Sequence, residues 1–475
     1  MTWGIVYRMS ETLPKEKADI INGPLPRVIF YLALPILLEN FLAFLVGFYD
    51  VILAGRLSEH ATKAIGITSY VGWLASMLFG LVGTGTTALI ARHYGEKKYT
   101  DANIFLNRSL SLAGVIGVII AVAFYVAAPT LAHLLNMQGE AYVIAVRYLR
   151  FDSLGHLFSG MTFIGAAALR GAGNMRMPMY ILGFMNLVNI VVSTVLVYGL
   201  GQNVGLAEDW VTTWGVDGIV AGTVSAKICG SLAMVACLIR GSGSLKWDSS
   251  KFGLMDEYVS RILRIGSLAV IDNGIVWIGQ FFFLIIISRL EANPGESYVF
   301  AAHVIGIRVE AISFLPAFAW GLAASTAVGQ ALGAMKPERA RQAGVVALKQ
   351  CSVFMILLTI VFFFGADEIY RMMSDEPKVS AVGVPAFRFM ALFQLPLAAA
   401  IIFSTSLRGA GDTRSPMIIS FVGVVFVRLP VAYFCGVVLG WGLLGAWVGM
   451  FSDVCLKAGL YTYRYLWGKW TDLKI

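Results

Sequence analysis

Long apolar runs, broken by Gly, Pro and clusters of charge, recur along the whole of this chain. A helix that crosses a bilayer needs about 20 apolar residues. Runs of that length predict helices near 28–54, 64–91, 105–128, 142–168, 177–200 and 215–239. A second series follows near 262–289, 299–329, 343–365, 382–406, 416–439 and 442–466. Twelve spans are expected, with short polar turns between them and no stretch left over for a water-soluble domain. The expected organisation is an N-terminal tail at 1–27, six-helix lobes at 28–239 and 262–466, an interlobe linker at 240–261 and a C-terminal tail at 467–475.

Composition agrees: 58% of the 475 residues are hydrophobic and 13% charged, against roughly 45–50% and about 25% in soluble domains. That excludes a soluble globular protein, and the class expected is all-α and polytopic. The first 27 residues are of mixed charge (ETLPKEKAD) and carry no apolar signal-peptide core, so the first span is expected to be its own insertion signal. The five cysteines lie in apolar stretches without CxxC spacing and are read as small core residues, with no metal site. The formal charge of +8 is read as topology. With the N-terminus inside, Arg8, Lys15, Lys17, Arg27, Arg92, Lys97, Lys98, Arg108, Arg170, Arg176, Arg240, Lys246, Lys251, Arg261, Arg264, Lys336, Arg339, Arg341, Lys349, Arg408, Arg414, Arg464, Lys469 and Lys474 fall on one side. Far fewer, among them Arg56, Lys63, Arg147, Arg289, Arg371 and Lys378, fall on the other. Such a bias puts both termini in the cytoplasm and leaves no nucleic-acid partner to explain.

The two halves repeat one another. LRGAGNMRMPM at Leu169–Met179 recurs as LRGAGDTRSPM at Leu407–Met417, with eight of eleven positions identical at an offset of 238. The same offset aligns Gly83 with Gly321 and Gly95 with Gly333, while an offset of 233 aligns Glu39 with Asp272, Asn40 with Asn273 and Arg56 with Arg289. A small insertion around EANPG accounts for the difference. Six helices per copy is an even number, so both copies enter from the same side and are related by an axis along the membrane normal. In the repeated motif Arg170, Gly171, Gly173 and Pro178, and likewise Arg408, Gly409, Gly411 and Pro416, describe a tight reversal in which the proline opens the next helix. A conformational role and a well-made turn explain that motif equally.

Ionisable groups inside a membrane are costly unless paired or hydrated. The second lobe carries Asp272, Glu310 and Asp453 against Arg308, Arg428 and Lys457, a balanced set that reads as a self-neutralised network. The first carries Glu39, Asp50 and Asp152 against Lys227 alone, so two carboxylates lack an obvious partner and are candidates to take up a proton or a cation. Glu39 and Asp50 are three turns apart on one face of the first span, about 16 Å along its axis. Glu39 and Lys227 lie at similar depth from opposite sides, and a pair between them is expected. The fifth span carries Asn186, Asn189 and Ser193 as a polar stripe, and the fourth carries Asp152 and His156 one turn apart. Interhelical hydrogen bonding explains the stripe as well as a cation path does. For His156, packing is the commoner role. Pro35 is expected to bend the first span.

These residues resemble the MATE family, the multidrug and toxic compound extrusion transporters. The resemblance rests on the paired LRGAGxxRxPM motifs, GFYDVILAGRLS in the first span, ALIARHYGEKK at the end of the second, and RLP at Arg428–Pro430, and it covers essentially the whole chain. It implies a V-shaped twelve-helix fold with pseudo-two-fold lobes, in a prokaryotic inner membrane. It also implies export of organic cations or amphipathic drugs by antiport with H+ or Na+, by a monomer with no cofactor beyond the coupling ion. Asp50 stands in the family's first-helix aspartate position, and Asn189 matches the asparagine of its NxxxD pattern. Ser193 stands where many members have the second acid, which leaves Glu39 or Asp152 to substitute for it. The helix 10 acid of other members is absent from Gln394–Ser406, and Asp272 sits about a turn early for their helix 7 glutamate. Coupling is therefore expected in the first lobe.

Two other readings compete. A lipid or lipid-linked sugar flippase of the same superfamily would want a cationic cavity, which the surplus of first-lobe acids opposes. A polytopic membrane enzyme would need a catalytic constellation, and the short loops carry no metal, nucleotide or nucleophile motif.

Overall fold

The computed structural model describes residues 19–135, 137–199, 213–291 and 297–473. Arg8, Lys15, Lys17 and Lys474 of the topology reading, and most of the EANPG insertion, lie outside them. The described chain is helical, with one isolated bridge between Ser242 and Leu245. The first copy comprises α1 (Leu25–Leu57), α2 (Glu59–Gly95), α3 (Tyr99–Leu134), α4 (Gly139–Gly171), α5 (Arg176–Tyr198) and α6 (Val216–Arg240). The second comprises α7 (Glu257–Ser288), α8 (Tyr298–Gly333) and α9 (Pro337–Met373). It is completed by α10 in two segments (Pro377–Ala391 and Gln394–Gly409), α11 (Arg414–Val438) and α12 (Gly442–Trp467). Each of the twelve expected spans is present. Most run past the apolar run that predicted them, because helical hydrogen bonding continues through polar turns outside the hydrocarbon layer.

Among the described residues ten helices are by themselves long and apolar enough to cross a membrane, and the bent α10 makes an eleventh. The remaining one, α4, carries Arg147, Arg150, Asp152, His156 and Arg170 spread along its length. α10 corrects the sequence reading, which ran one helix through 382–406. Its segments meet at an angle of 56°. Pro396 lacks an N–H and its ring excludes the carbonyl of Leu392, so the helix breaks at Leu392–Phe393. In α11 the backbone widens to π turns at Gly423–Arg428 and Phe434–Val438, on either side of Pro430. The cysteine reading holds for Cys237, Cys351 and Cys435, whereas Cys455 faces outward.

The repeat is visible in the backbone. At the end of α4 the Asn174 N–H bonds Leu169 O at 2.9 Å and the Gly173 N–H bonds Arg170 O at 2.8 Å. After α10, Asp412 bonds Leu407 O at 2.9 Å and Gly411 bonds Arg408 O at 3.0 Å. Both are Schellman closures, and Gly173 and Gly411 sit at φ 88° and 90°, where only glycine is comfortable. The Asn174 and Asp412 side chains then accept the N–H of Met177 and Ser415, opening the next helix, with Pro178 and Pro416 in its first turn. One residue before each cap, a Cβ on Gly171 would lie 2.9 Å from Thr87 O, and one on Gly409 would lie 2.5 Å from Ser325 O. Thr87 and Ser325 are themselves related by the 238-residue offset. The turn is thus also a point of close helix contact.

The chain divides into two compact units, one of Leu38–Gly266 and one of Ser267 onward with the chain up to Leu37. The division cuts through α1 and α7. Inside the first unit the start of α7 packs on α2, where a Cβ on Gly85 would meet the Ile262 backbone. Inside the second, the start of α1 packs on α8 and α9, with Phe30 edge-on to Trp320 and Pro26 O accepting from Gln350 at 2.7 Å. The 240–261 segment is tied down rather than loose. Asn103 of α3 donates to Ser244 O at 2.6 Å and accepts the Lys246 N–H at 2.7 Å, and Asn107 accepts the Asp248 N–H at 2.9 Å. Arg108 closes the strap through an ion pair with Asp256. Partial burial pushes the Asp256 carboxyl up, but the Arg108 guanidinium and the Val259 N–H outweigh it and hold it below the usual carboxylate range. A depressed folded pKa stabilises above the unfolded value and is lost as pH falls through the folded one. Asp256→Asn should therefore destabilise the purified protein by about 1 kcal/mol or less at neutral pH. In thermal unfolding, variant and wild type should converge below about pH 4.

Candidate functional site

Four of the five first-lobe charges at issue are paired. Glu39 on α1 is 8% exposed and forms an ion pair with Arg170 at the end of α4. Asp152 on α4 receives Lys227 Nζ from α6 at 2.6 Å and lies 3.4 Å from His156 Nε2. The expected pair of Glu39 with Lys227 is therefore wrong. Depth along the helices was a fair guide, but not which faces meet. Lys227 is seated against α4, where Gly155 leaves it room: a Cβ there would lie 2.6 Å from Lys227 Cδ. Arg170 entered the sequence reading only as a turn and topology residue, yet its side chain is 13% exposed and answers the acid that Lys227 was meant to answer.

Asp50 is the exception. Its Oδ1 is buried with no hydrogen-bond partner, and among the described residues it makes no ion pair. The residue is half-buried, and its neighbour Tyr49, whose hydroxyl is 2.6 Å from Thr194 Oγ1 of α5, packs against an apolar cluster of Leu53, Ala54, Ile65, Tyr148, Val220 and Val224. The Tyr148 ring of α4 is within electrostatic range of both Asp50 and Asp152, and it faces Thr223 of α6.

The polar stripe of α5 is buried: Asn186 at 9%, Asn189 at 5% and Ser193 at 0% exposure. Asn189 donates to Thr223 Oγ1 at 3.2 Å and Ser193 donates to Ile219 O at 3.4 Å, so both bond α5 to α6. Ser193 fills the notch left by Gly222, where a Cβ would lie 2.0 Å from Ser193 Oγ. Asn189 Oδ1, however, is buried and has no partner. Asn189 and Asp50 thus each present an unanswered oxygen inside this unit. An unanswered buried acceptor of this kind favours a proton or a cation.

The second copy is self-neutralised only in part, and not as grouped from sequence. Asp272 pairs with Arg408, while Asp453 takes Arg428 at 2.8 Å and Lys457 at 2.9 Å. Arg308 is exposed, and Glu310, 5% exposed, makes no ion pair among the described residues. Asn273 is half-buried beside Asp272. The signal that sequence reading missed was in the repeat itself. Glu39 and Asp272 are one aligned pair and Arg170 and Arg408 another, so each copy holds the same acid–arginine bond.

A family model described as MatE matches residues 35–195 and 269–434, once in each copy. The chain belongs to the MatE family. Its members are transporters rather than enzymes. The chain is 29% identical over 472 residues to the probable multidrug resistance protein NorM of Thermotoga maritima, covering 96% of this chain and 95% of that one. It is 26% identical to the multidrug resistance protein PmpM of Pseudomonas aeruginosa, covering 93% and 91%. A solved outward-facing multidrug resistance MATE family transporter superposes with a TM-score of 0.85 at 20% identity, over 97% of this chain and 98% of that one. The all-helical multi-pass membrane fold expected from sequence is that of the MatE family.

For this MatE chain the ion-pair assignment has a direct check. Neutralising Lys227 alone strands Asp152 in an apolar setting, which costs about 3–5 kcal/mol, while neutralising both partners costs much less. A double-mutant cycle of Lys227→Met with Asp152→Asn on thermal stability should show strong coupling. The same cycle with Glu39→Gln should show none.

Proposed function

We propose that the protein is an efflux transporter that exchanges an organic cation or amphipathic drug for protons or sodium ions, with Asp50 as the coupling carboxylate. The observation that carries this is the state of Asp50: of Glu39, Asp50 and Asp152 it is the one without an ion pair among the described residues, half-buried with an unpartnered Oδ1. A carboxylate that no resident cation satisfies is available to an exchanging one. Competition for it yields antiport, because protonation lowers affinity for a cationic substrate and substrate binding promotes proton release by the same coupling free energy. Glu39 and Asp152 are held by resident cations, which disfavours either as the substitute second acid. Arg170 and Lys227 are likewise neutralised by Glu39 and Asp152 and so are not free to meet a phosphate group, which disfavours a flippase.

Asp50→Asn should insert and fold yet lose gradient-driven export. The expected loss is about 5- to 150-fold, the range of a coupling free energy of about 1–3 kcal/mol. Proteoliposomes loaded with a fluorescent organic cation and driven in turn by a pH gradient and a sodium gradient provide the measurement and identify the ion. Export by this variant at the wild-type rate would overturn the assignment.

The bias of basic residues supports a prokaryotic inner-membrane protein with both termini in the cytoplasm. Glu338, exposed at the start of α9, then lies on the cytoplasmic side. A cysteine placed there in a background without the native cysteines should react with an impermeant maleimide in inside-out vesicles and not in intact cells.

A further inference from the structure

We infer that Glu39 and Arg170 are positioning residues for the Asp50 site, and that their ion pair is one of two copies of a single device, the other being Asp272 with Arg408. The inference rests on the reading of Asp50 as the coupling carboxylate. In each copy the acid lies on the first helix and the arginine in the last turn of the fourth, three residues before the glycine that reverses the chain. The arginine is fixed by that turn: its carbonyl accepts the Gly173 or Gly411 N–H, and the next residue, Gly171 or Gly409, is pressed against α2 or α8. An acid bonded to so rigid a point has its helix set in both height and rotation. In each copy one carboxylate oxygen, Glu39 Oε2 or Asp272 Oδ1, is buried and has no partner, so the arginine bond is not backed by a second donor.

What differs is the cargo of each first helix. Glu39 and Asp50 share a face of α1 three turns apart, so the bond that sets Glu39 also sets Asp50 against α5, which starts directly after the same turn. At the offset of 233 the counterpart of Asp50 is Phe283, a fully buried core residue. The second bond therefore holds an apolar packing surface and the first holds a carboxylate. The Tyr148 ring on α4 lies within electrostatic range of Asp50, and the adjoining Tyr49 bonds Thr194 of α5. The charged cluster of Asp152, His156 and Lys227 lies beyond Tyr148 and is internally paired. No other charge among these compensates if α1 turns.

The experiment measures the pH midpoint of organic-cation export in proteoliposomes, together with thermal stability, for matched variants in the two copies. Glu39→Gln and Arg170→Gln should move the midpoint by about half a pH unit or more, a threefold change in proton affinity. Asp272→Asn and Arg408→Gln should lose comparable stability and leave the midpoint in place. Glu39→Asp, which keeps the charge and shortens its reach, should fold and still move the midpoint, and the reversed pair Glu39→Arg with Arg170→Glu should restore it. Equal shifts from both copies, or a stationary midpoint in Glu39→Asp and Glu39→Gln while Asp50→Asn abolishes coupling, would overturn the positioning role alone. Coupled export by Asp50→Asn would overturn both this role and the reading beneath it.

Discussion

A carboxylate in the apolar layer must be met by a donor or give up its charge, and the arrangement of this chain follows from that constraint. Four buried acids are met by cations from another helix: Glu39 by Arg170, Asp152 by Lys227, Asp272 by Arg408 and Asp453 by Arg428. Each such bond joins two different helices, so the charges that are costly to bury also fix which helix faces meet. In lipid, where apolar contact between helices carries little driving force, such bonds select among otherwise similar packings. Asp50 in the first copy and Glu310 in the second make no ion pair among the described residues, so no resident cation satisfies the rule at either.

Glycine is the other half of the arrangement. Gly155 makes the space that Lys227 occupies on its way to Asp152, and Gly423 does the same beside Asp453, where a Cβ would lie 2.9 Å from Lys457 Cε. Gly222 admits Ser193 and so allows the α5–α6 hydrogen bonds. Small residues and buried polar groups are therefore not separate features of these helices. The notch and the bond form at the same place, and enlarging one strains the other.

Much of the fold was legible in the sequence because the bilayer imposes a length: about 20 apolar residues per crossing leaves little freedom in counting spans. The repeat was legible because the turn geometry demands Gly173 and Gly411 at positive φ and tolerates few alternatives. The α10 break was missed because apolar composition continues across Leu392–Phe393, and the signal was the single Pro396. Of the site, Asp50, Asn189 and the association of Asp152 with His156 were legible. The partner of Glu39 was not, since depth follows from counting residues while the azimuth of a helix depends on its neighbours. Arg170 was hidden by its position, where a charge ordinarily marks the cytoplasmic side and needs no further explanation.

A duplicated chain begins with two equivalent copies of every constraint, and those that remain in both copies are the ones that folding requires of each. The acid–arginine bond, the Schellman turn and the glycine pressed on the second or eighth helix are all present twice. The acid at Asp50 is present once, with Phe283 packed in its place in the other copy. Stability thus weighs on both copies alike, and each also holds a carboxylate without an ion pair among the described residues, buried Glu310 in the second and half-buried Asp50 in the first, but only the first copy has one at this first-helix position. Replacing it by an aromatic core residue is what packing alone favours, as the second copy illustrates. Its place in the first copy is consistent with the proposed coupling role, which packing alone does not require.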